Sequence, residues 1–202
     1  MLVESIMTRS VITTEPTDTV QSALQVMRKN RFRHLPVVRH GRVVGIVSDR
    51  DLVNPDSRTV GEVTRSQLIS VTPDTPVEVA AELMLQNKIG ALPVLEGGGA
   101  ALVGIVTQSD LFAMLARLLG ADQPSTRLEL RLDDVPRQLA QIASLAMERG
   151  VEITSLVTLP RLDSDGSSRR IVLRIGTIAA GPFVHALERE GIALADQRPA
   201  DA

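Results

Sequence analysis

Two stretches of the chain set a hydroxyl and a carboxylate at one spacing. Gly45-Ile46-Val47-Ser48-Asp49-Arg50-Asp51 returns as Gly104-Ile105-Val106-Thr107-Gln108-Ser109-Asp110. In each, an apolar run ends on Ser48 or Thr107, and Asp51 or Asp110 follows three residues later. The pattern reads as a buried strand running into a helix, with the hydroxyl placed to cap it. The carboxylate lands one turn on, beside a helix mouth with free backbone N–H groups and a partial positive charge. Such a mouth can receive a phosphate, and a carboxylate beside it can take two neighbouring hydroxyls of a ribose. A capped helix with an acidic first turn satisfies the same pattern, but its recurrence inside a longer repeat favours the binding reading.

Basic residues gather near only one copy. Arg28, Lys29, Arg31, Arg33, His34, Arg39, His40 and Arg42 fall within residues 28–42, which contain no acid. The matching region of the second copy offers Lys88 and Glu96, with Gly90 and Ala91 where the first has Arg33 and His34. A phosphate is therefore expected in a cleft holding Arg33, His34 and Asp51; because each cleft lies between the repeats, Arg33 or Arg50 could instead serve the opposite site. Other uses of the run are a solvated face or a dock for an acidic partner. RNA fits poorly, because only Phe32 is at hand for stacking. Catalytic and metal chemistry find no pattern: His34, His40 and His185 lack ligand spacing, and neither a Gly-x-Ser-x-Gly elbow nor a Gly-Lys-Ser/Thr phosphate loop occurs.

The elements that must position these groups are themselves duplicated. Pro16, Val20, Ala23, Met27, Asn30, Leu35, Pro36 and Val37 match Pro73, Val77, Ala80, Met84, Asn87, Leu92, Pro93 and Val94 at an offset of 57; after Gly97-Gly98-Gly99 the offset is 59. Two copies of this length suggest two similar half-domains packed on each other rather than a solenoid. Each copy predicts a short strand (Val11 to Thr14, Leu68 to Val71), a helix with apolar residues at i, i+3, i+4 and i+7, and a hairpin (Leu35 to Val38 with Arg42 to Val47, Leu92 to Leu95 with Ala101 to Val106). A final helix follows, Asp49 to Val53 or Gln108 to Leu119. Thr75-Pro76-Val77-Glu78 reads as a capping box with proline at the first helical position.

Beyond Ser125 the pattern changes. Leu128, Leu130 and Leu132 alternate with polar residues, Pro136 to Arg149 reads as a helix, and Ile153 to Leu159 and Ile171 to Ile175 as strands joined at Asp165-Gly166. Pro182 to Glu190 is a second helix and Gly191 to Leu194 a last strand, giving β-α-β-β-α-β, the split βαβ order of ferredoxin-like domains. Asp133-Asp134 reads as a helix start, Asp163 and Asp165 as a turn, and the tail as disordered. The chain is thus α/β (α+β), divided as repeat one 1–58, repeat two 59–120, linker 121–125, a second domain 126–196 and a tail 197–202.

Composition agrees with a soluble, cytoplasmic protein. The chain has 202 residues, 44% hydrophobic and 23% charged, a net charge of −2, and neither Cys, Trp nor Tyr. Disulfides and thiolate chemistry are excluded, the charge argues against nucleic acid, and no apolar run of about 18 residues offers a membrane span.

Met7-Thr8, the Leu-Pro-Val hairpins and the paired glycine–Ser/Thr–aspartate stretches make residues 1–118 resemble a tandem pair of CBS domains, a Bateman module. Residues 126–196 resemble an ACT domain, from their topology and from Asp134-Val135-Pro136. The three-part layout is similar to that of acetoin-utilisation AcuB-like proteins. The resemblance implies a regulatory, non-catalytic protein that needs no cofactor and binds AMP, ADP or ATP between the repeats. Asp51 and Asp110 would hold ribose hydroxyls, and Ser48 and Thr107 ribose or phosphate. Ile12, Thr13, Pro36 and Val37 would line one adenine slot, and Ile69, Ser70, Pro93 and Val94 the other. Arg33, three residues before the hairpin proline, would reach phosphates; Gly90 lacks that contact, so the Asp110 cleft would bind more weakly or accept uncharged adenosine. ACT domains usually carry glycine where this chain has Arg137, so the second domain is read as a homodimerisation module rather than an amino-acid sensor. An amino-acid sensor, and an accessory subunit acting on an unidentified protein partner, are the competing readings.

Overall fold

The computed structural model describes residues 1–53, 58–64, 67–96, 98, 101–160 and 168–195. Contacts divide the chain into two units, Met1–Ala113 and Met114–Ala202. In the first, α1 (Val20–Asn30), β1 (His34–Arg39) and β2 (Arg42–Ser48) are matched by α3 (Val77–Asn87), β3 (Ala91–Glu96) and β4 (Ala101–Thr107). A short α2 (Val60–Val63) lies between the copies, and α4 (Gln108–Leu118) follows β4. The division between these units falls inside α4.

Each hairpin is built the same way. Val37 pairs with Gly45 and Val38 with Val43, and Val94 pairs with Gly104 and Leu95 with Leu102, so a bulge occurs at the matched position of both. His40 and Gly41 turn the first hairpin with φ of 50° and 75°, the combination a tight two-residue connection requires. Of the expected Gly97-Gly98-Gly99 turn, Gly97 and Gly99 lie outside the described residues.

The expected strands at Val11–Thr14 and Leu68–Val71 are reduced to single bridges, Thr14 to Val37 and Val71 to Val94. The reason is chemical. Thr14 N–H donates to Pro36 O and receives Val38 N–H at its own carbonyl; Val71 does the same with Pro93 and Leu95. The next rung toward the N-terminus would need an N–H from Pro36 or Pro93, and proline has none.

The two cores exchange their leading segments. Val3 N–H donates to Thr75 O and Glu4 N–H to Pro73 O, while Val60 N–H donates to Asp18 O and Gly61 N–H to Pro16 O. The first free N–H of α3, on Val77, goes to Met1 O, and that of α1, on Val20, goes to Arg58 O. Val3 and Met7 accordingly pack with Val71, Ala80, Met84, Leu92, Val94 and Val106, whereas Val60 packs with Ala23, Met27, Leu35, Val37, Val47 and Leu52. The ranges 1–58 and 59–120 follow the sequence repeat; in space each core is closed by a segment from the other. Gly104 belongs to this arrangement, because a Cβ there would lie 2.6 Å from Met7 Sδ and 3.2 Å from Thr8 O.

Capping differs between the copies. Thr19 Oγ1 accepts from Ser22 N–H and opens α1. The capping box expected at Thr75 is not formed: Pro76 precedes α3 without a side-chain cap, and Thr75 Oγ1 accepts from Thr72 N–H instead. The hydroxyl closes the preceding turn, as the Asp18 carboxylate does for Glu15 N–H in the first copy.

The second unit contains β5 (Thr126–Leu132), α5 (Val135–Glu148), β6 (Ile153–Thr158), β7 (Arg169–Ile175), α6 (Gly181–Arg189) and β8 (Ala193–Leu194). The sheet order is β6-β7-β5-β8, antiparallel throughout, which is the split βαβ arrangement. Leu128, Leu130 and Leu132 meet Ile171, Leu173 and Ile175 beneath Ile142, Phe183 and Leu187, so the alternation read from the sequence faces one core. Asp134 caps α5 by accepting from Arg137 N–H, as its place before the helix suggested. Asp163, Asp165-Gly166 and the tail from 196 onward lie outside the described residues.

Candidate functional site

The two hydroxyl–carboxylate turns form as their spacing predicts. Asp110 Oδ2 accepts from Thr107 N–H at 2.8 Å and from its hydroxyl at 2.7 Å, while Thr107 Oγ1 accepts from Asp110 N–H at 3.4 Å. Asp51 Oδ2 accepts from Ser48 N–H at 2.8 Å and its hydroxyl at 2.6 Å, with Asp51 N–H returning to Ser48 Oγ at 3.3 Å. Each is a reciprocal cap in which aspartate stands for the usual glutamate. Asp110 Oδ1 accepts no hydrogen bond among the described residues.

A cavity of about 440 Å³ opens on the Thr107–Asp110 turn. Its walls come from four places: Thr8 with Ser10 to Ile12, the stretch Asn30 to His34 at the end of α1, Gly90, and Ile105 with Thr107 to Asp110. The antiparallel bridge between Thr8 and Ile105 brings the first of these beside β4. Arg31, at the C-terminus of α1, adopts the left-handed conformation with φ of 57° and turns the chain toward β1. The cavity lies within the size range of small-molecule sites. Arg31 and Arg33 against the single carboxylate of Asp110 give it a positive bias.

Arg33 and His34, expected in a cleft with Asp51, line the cavity of Asp110, while Asp51 still acts on the His34 ring from its own copy. Gly90 explains the change. Its carbonyl accepts from Gln108 N–H at 3.0 Å, tying the start of β3 to the start of α4. A Cβ on Gly90 would lie 2.8 Å from both Cε1 and Nε2 of His34, so the imidazole rests directly on this glycine. The first residue of β1 is therefore carried to the helix mouth of the other copy.

The remaining expected residues separate into groups. Ile12 joins Arg33, His34, Thr107 and Asp110 in the cavity. Thr13 lines another hollow with Glu15, Pro16 and Val38 to Gly41. Pro36, Val37, Pro93 and Val94 are buried within β1 and β3, and Ile69 and Ser70 are half-buried. Ser48 and Asp51 close their own turn after β2. Arg50 lines a third hollow with Arg28, Arg31, Arg33 and Asp49 over Leu24, Met27 and Phe32. The sequence reading passed over Thr8, Ser10, Asn30, Gln108 and Ser109; the offset of 57 marks equivalent positions but not which copies touch.

His34 is held below the usual histidine range, first by burial and then by the Arg33 guanidinium, while Asp49 and Asp51 work against that shift. Asp18, in the turn before α1, is lowered by the Thr14 hydroxyl and the Glu15 N–H. No helix among the described residues is long and apolar enough to cross a membrane, and no cluster there has the make-up of a metal site.

Among curated proteins, the chain is 29% identical over 175 residues to inosine-5'-monophosphate dehydrogenase of Korarchaeum cryptofilum, covering 86% of this chain but only 37% of that relative. It is 35% identical over 116 residues to the CBS domain-containing protein YhcV of Bacillus subtilis, covering 54% of this chain and 81% of that one. The CBS domain pair of MJ0100, solved with 5'-methylthioadenosine and S-adenosyl-L-methionine, shares 28% identity at a TM-score of 0.54 over 57% of this chain and 99% of its own. The Vibrio cholerae protein AcuB, assigned to acetoin utilization, gives 33% and 0.54 over 60% and 95%. CBSX2, solved with AMP, gives 28% and 0.53 over 56% and 95%. Residues 3–55 and 60–117 each match the CBS domain, and the chain therefore belongs to the CBS domain family, with its two copies forming a tandem pair.

Proposed function

We propose that the chain is a regulatory, non-catalytic sensor of adenosine nucleotides, and that the Asp110 cavity is its ligand site. The observation that carries this reading is the meeting of three complementary groups in one cavity. Asp110 offers a carboxylate oxygen for ribose hydroxyls. The mouth of α4 and Arg33 offer charge-matched donors for phosphate. Ile12, Val11 and Phe32 offer apolar surface for a base. Adenosine compounds bound by MJ0100 and CBSX2 support the same ligand class. By the repeat, a second site would set Ser48 and Asp51 beside Ile69, Ser70 and Lys88. With Gly90 and Ala91 at the places of Arg33 and His34, that site is the weaker for phosphate.

The second unit is read as an ACT-like module that pairs sheets across a homodimer and passes on the state of the first unit. Arg137, at the start of α5, stands where an amino-acid ligand would need open backbone, which favours dimerisation over amino-acid sensing. Regulation of acetoin utilisation is one setting for such a sensor.

The test is calorimetry with AMP, ATP and adenosine, beside a thermal-shift screen against amino acids. AMP or ATP binding, with no stabilisation by amino acids, is the expected result. Absence of binding by all three adenosine compounds overturns the reading, and a monomer by light scattering at micromolar concentration removes the dimer.

A further inference from the structure

The imidazole of His34 is the one feature of the cavity that local pattern does not explain. It is the first residue of β1, yet its Cε1–Nε2 edge rests on Gly90 of the other copy. The Gly90 carbonyl is bonded to Gln108 N–H, and the Gln108 side-chain oxygen lies 3.8 Å from where a Gly90 Cβ would be. The ring edge is thus within a residue's width of the opening of α4. The side-chain nitrogens of His34 make no hydrogen bond among the described residues. A half-buried imidazole with a donor in reserve, set beside a helix mouth, has one chemical use that its neighbours lack: it can change charge to suit what arrives.

We propose that His34 makes the Asp110 cavity discriminate among ligands by the charge of their tails, its imidazole donating to an anionic group and taking up a proton from solvent as that group enters. This rests on the cavity being the ligand site. The groups facing the ring fix the direction. Arg33 beside it and Arg50 beyond β2 disfavour a second positive charge, Asp49 and Asp51 favour one, and Arg31 and Asp110 lie on the same cavity. Gly90 and Gln108, which face the ring edge, carry no charge. With burial and Arg33 prevailing, the ring is mostly neutral near pH 7. A phosphate adds negative charge at short range and reverses the balance. The complex then holds more protons than the free protein, so affinity for an anionic tail rises as pH falls, by up to about tenfold per pH unit for a single proton. A ligand without charge draws no proton and shows no such slope.

The experiment is calorimetric titration of the full chain with AMP and with adenosine, in two buffers of different ionisation enthalpy, for wild type and His34→Gln. AMP's own phosphate titrates near pH 6, so the proton balance of the variant is subtracted from that of the wild type. The expected result is extra proton uptake by the wild type with AMP and none with adenosine. Equal proton balance in the two proteins overturns the role of His34 while leaving the cavity reading intact. Failure of both AMP and adenosine to bind overturns the role of His34 and, if ATP fails as well, the cavity reading with it. Should His34→Gln not fold, the imidazole Cε1–H resonance of the wild type is titrated with and without AMP. A midpoint raised by AMP supports the proposal, and an unmoved one overturns it.

Discussion

The hydroxyl–carboxylate turns at Ser48 and Thr107 close with nearly the same distances and are put to different use. After Asp51 a 3-10 turn ends at Val53, whereas the turn at Asp110 opens an eleven-residue helix. The first copy supplies Arg33 and His34, but the cavity they line is floored by the turn of the second. A local repeat therefore copies these two turns faithfully while the site is assembled from unlike halves of each copy. Gly90 lets the His34 ring sit there, because a Cβ at the glycine would force the imidazole to shift.

The comparison breaks most severely at the exchanged cores. Val60 and Val3 are both fully buried, each in the core of the copy it does not belong to by sequence. Truncation to alanine is expected to cost roughly 2–3 kcal/mol in either case. Hydrogen exchange should locate the damage: Val60→Ala loosens α1, and Val3→Ala loosens α3. Loss confined to the segment's own sequence copy would contradict the exchange.

A double-mutant cycle sharpens the pairing of charges. If Arg33 and Asp110 hold one ligand, their alanine variants should be coupled in AMP affinity by about 1 kcal/mol or more, whereas Arg33 and Asp51 should add independently. Calorimetry on the four proteins of each cycle decides. Coupling to Asp51 alone would restore the pairing first expected from the sequence.

The smallest effect concerns acid. Asp18 and Thr75 close matching turns, one with a carboxylate and the other with a hydroxyl. The folded pKa of Asp18 is lowered, first by Thr14 and then by the Glu15 N–H. Its contribution to stability is present above the unfolded carboxylate value near 3.8 and is lost as pH falls through the lower folded value. Exchange measured between pH 5 and 3 should show the turn before α1 loosening ahead of the turn before α3. Asp18→Thr should abolish the difference.

Much of the architecture was legible because it depends on groups close in sequence. Three-residue spacing sets both reciprocal caps, apolar periodicity sets the faces of α1, α3 and α5, and alternation sets the sheet of the second unit. The offset of 57 predicted two matching halves, and both hairpins carry the same bulge at the matched place. Two local expectations failed for local reasons: Pro36 and Pro93 cannot extend the bridges at Thr14 and Val71, and the Thr75 hydroxyl was already committed to Thr72.

What the chain alone did not determine is which copy serves which. Thr8 meets Ile105, Val60 reaches Asp18, and His34 rests on Gly90, all contacts between residues distant in sequence. Periodicity makes the two copies equivalent and is silent on whether a side chain faces its own partner or the other's. Tertiary packing removes that ambiguity. Each core is completed by the other's leading segment, and packing between the copies sets Arg33 and His34 on the cavity of Asp110.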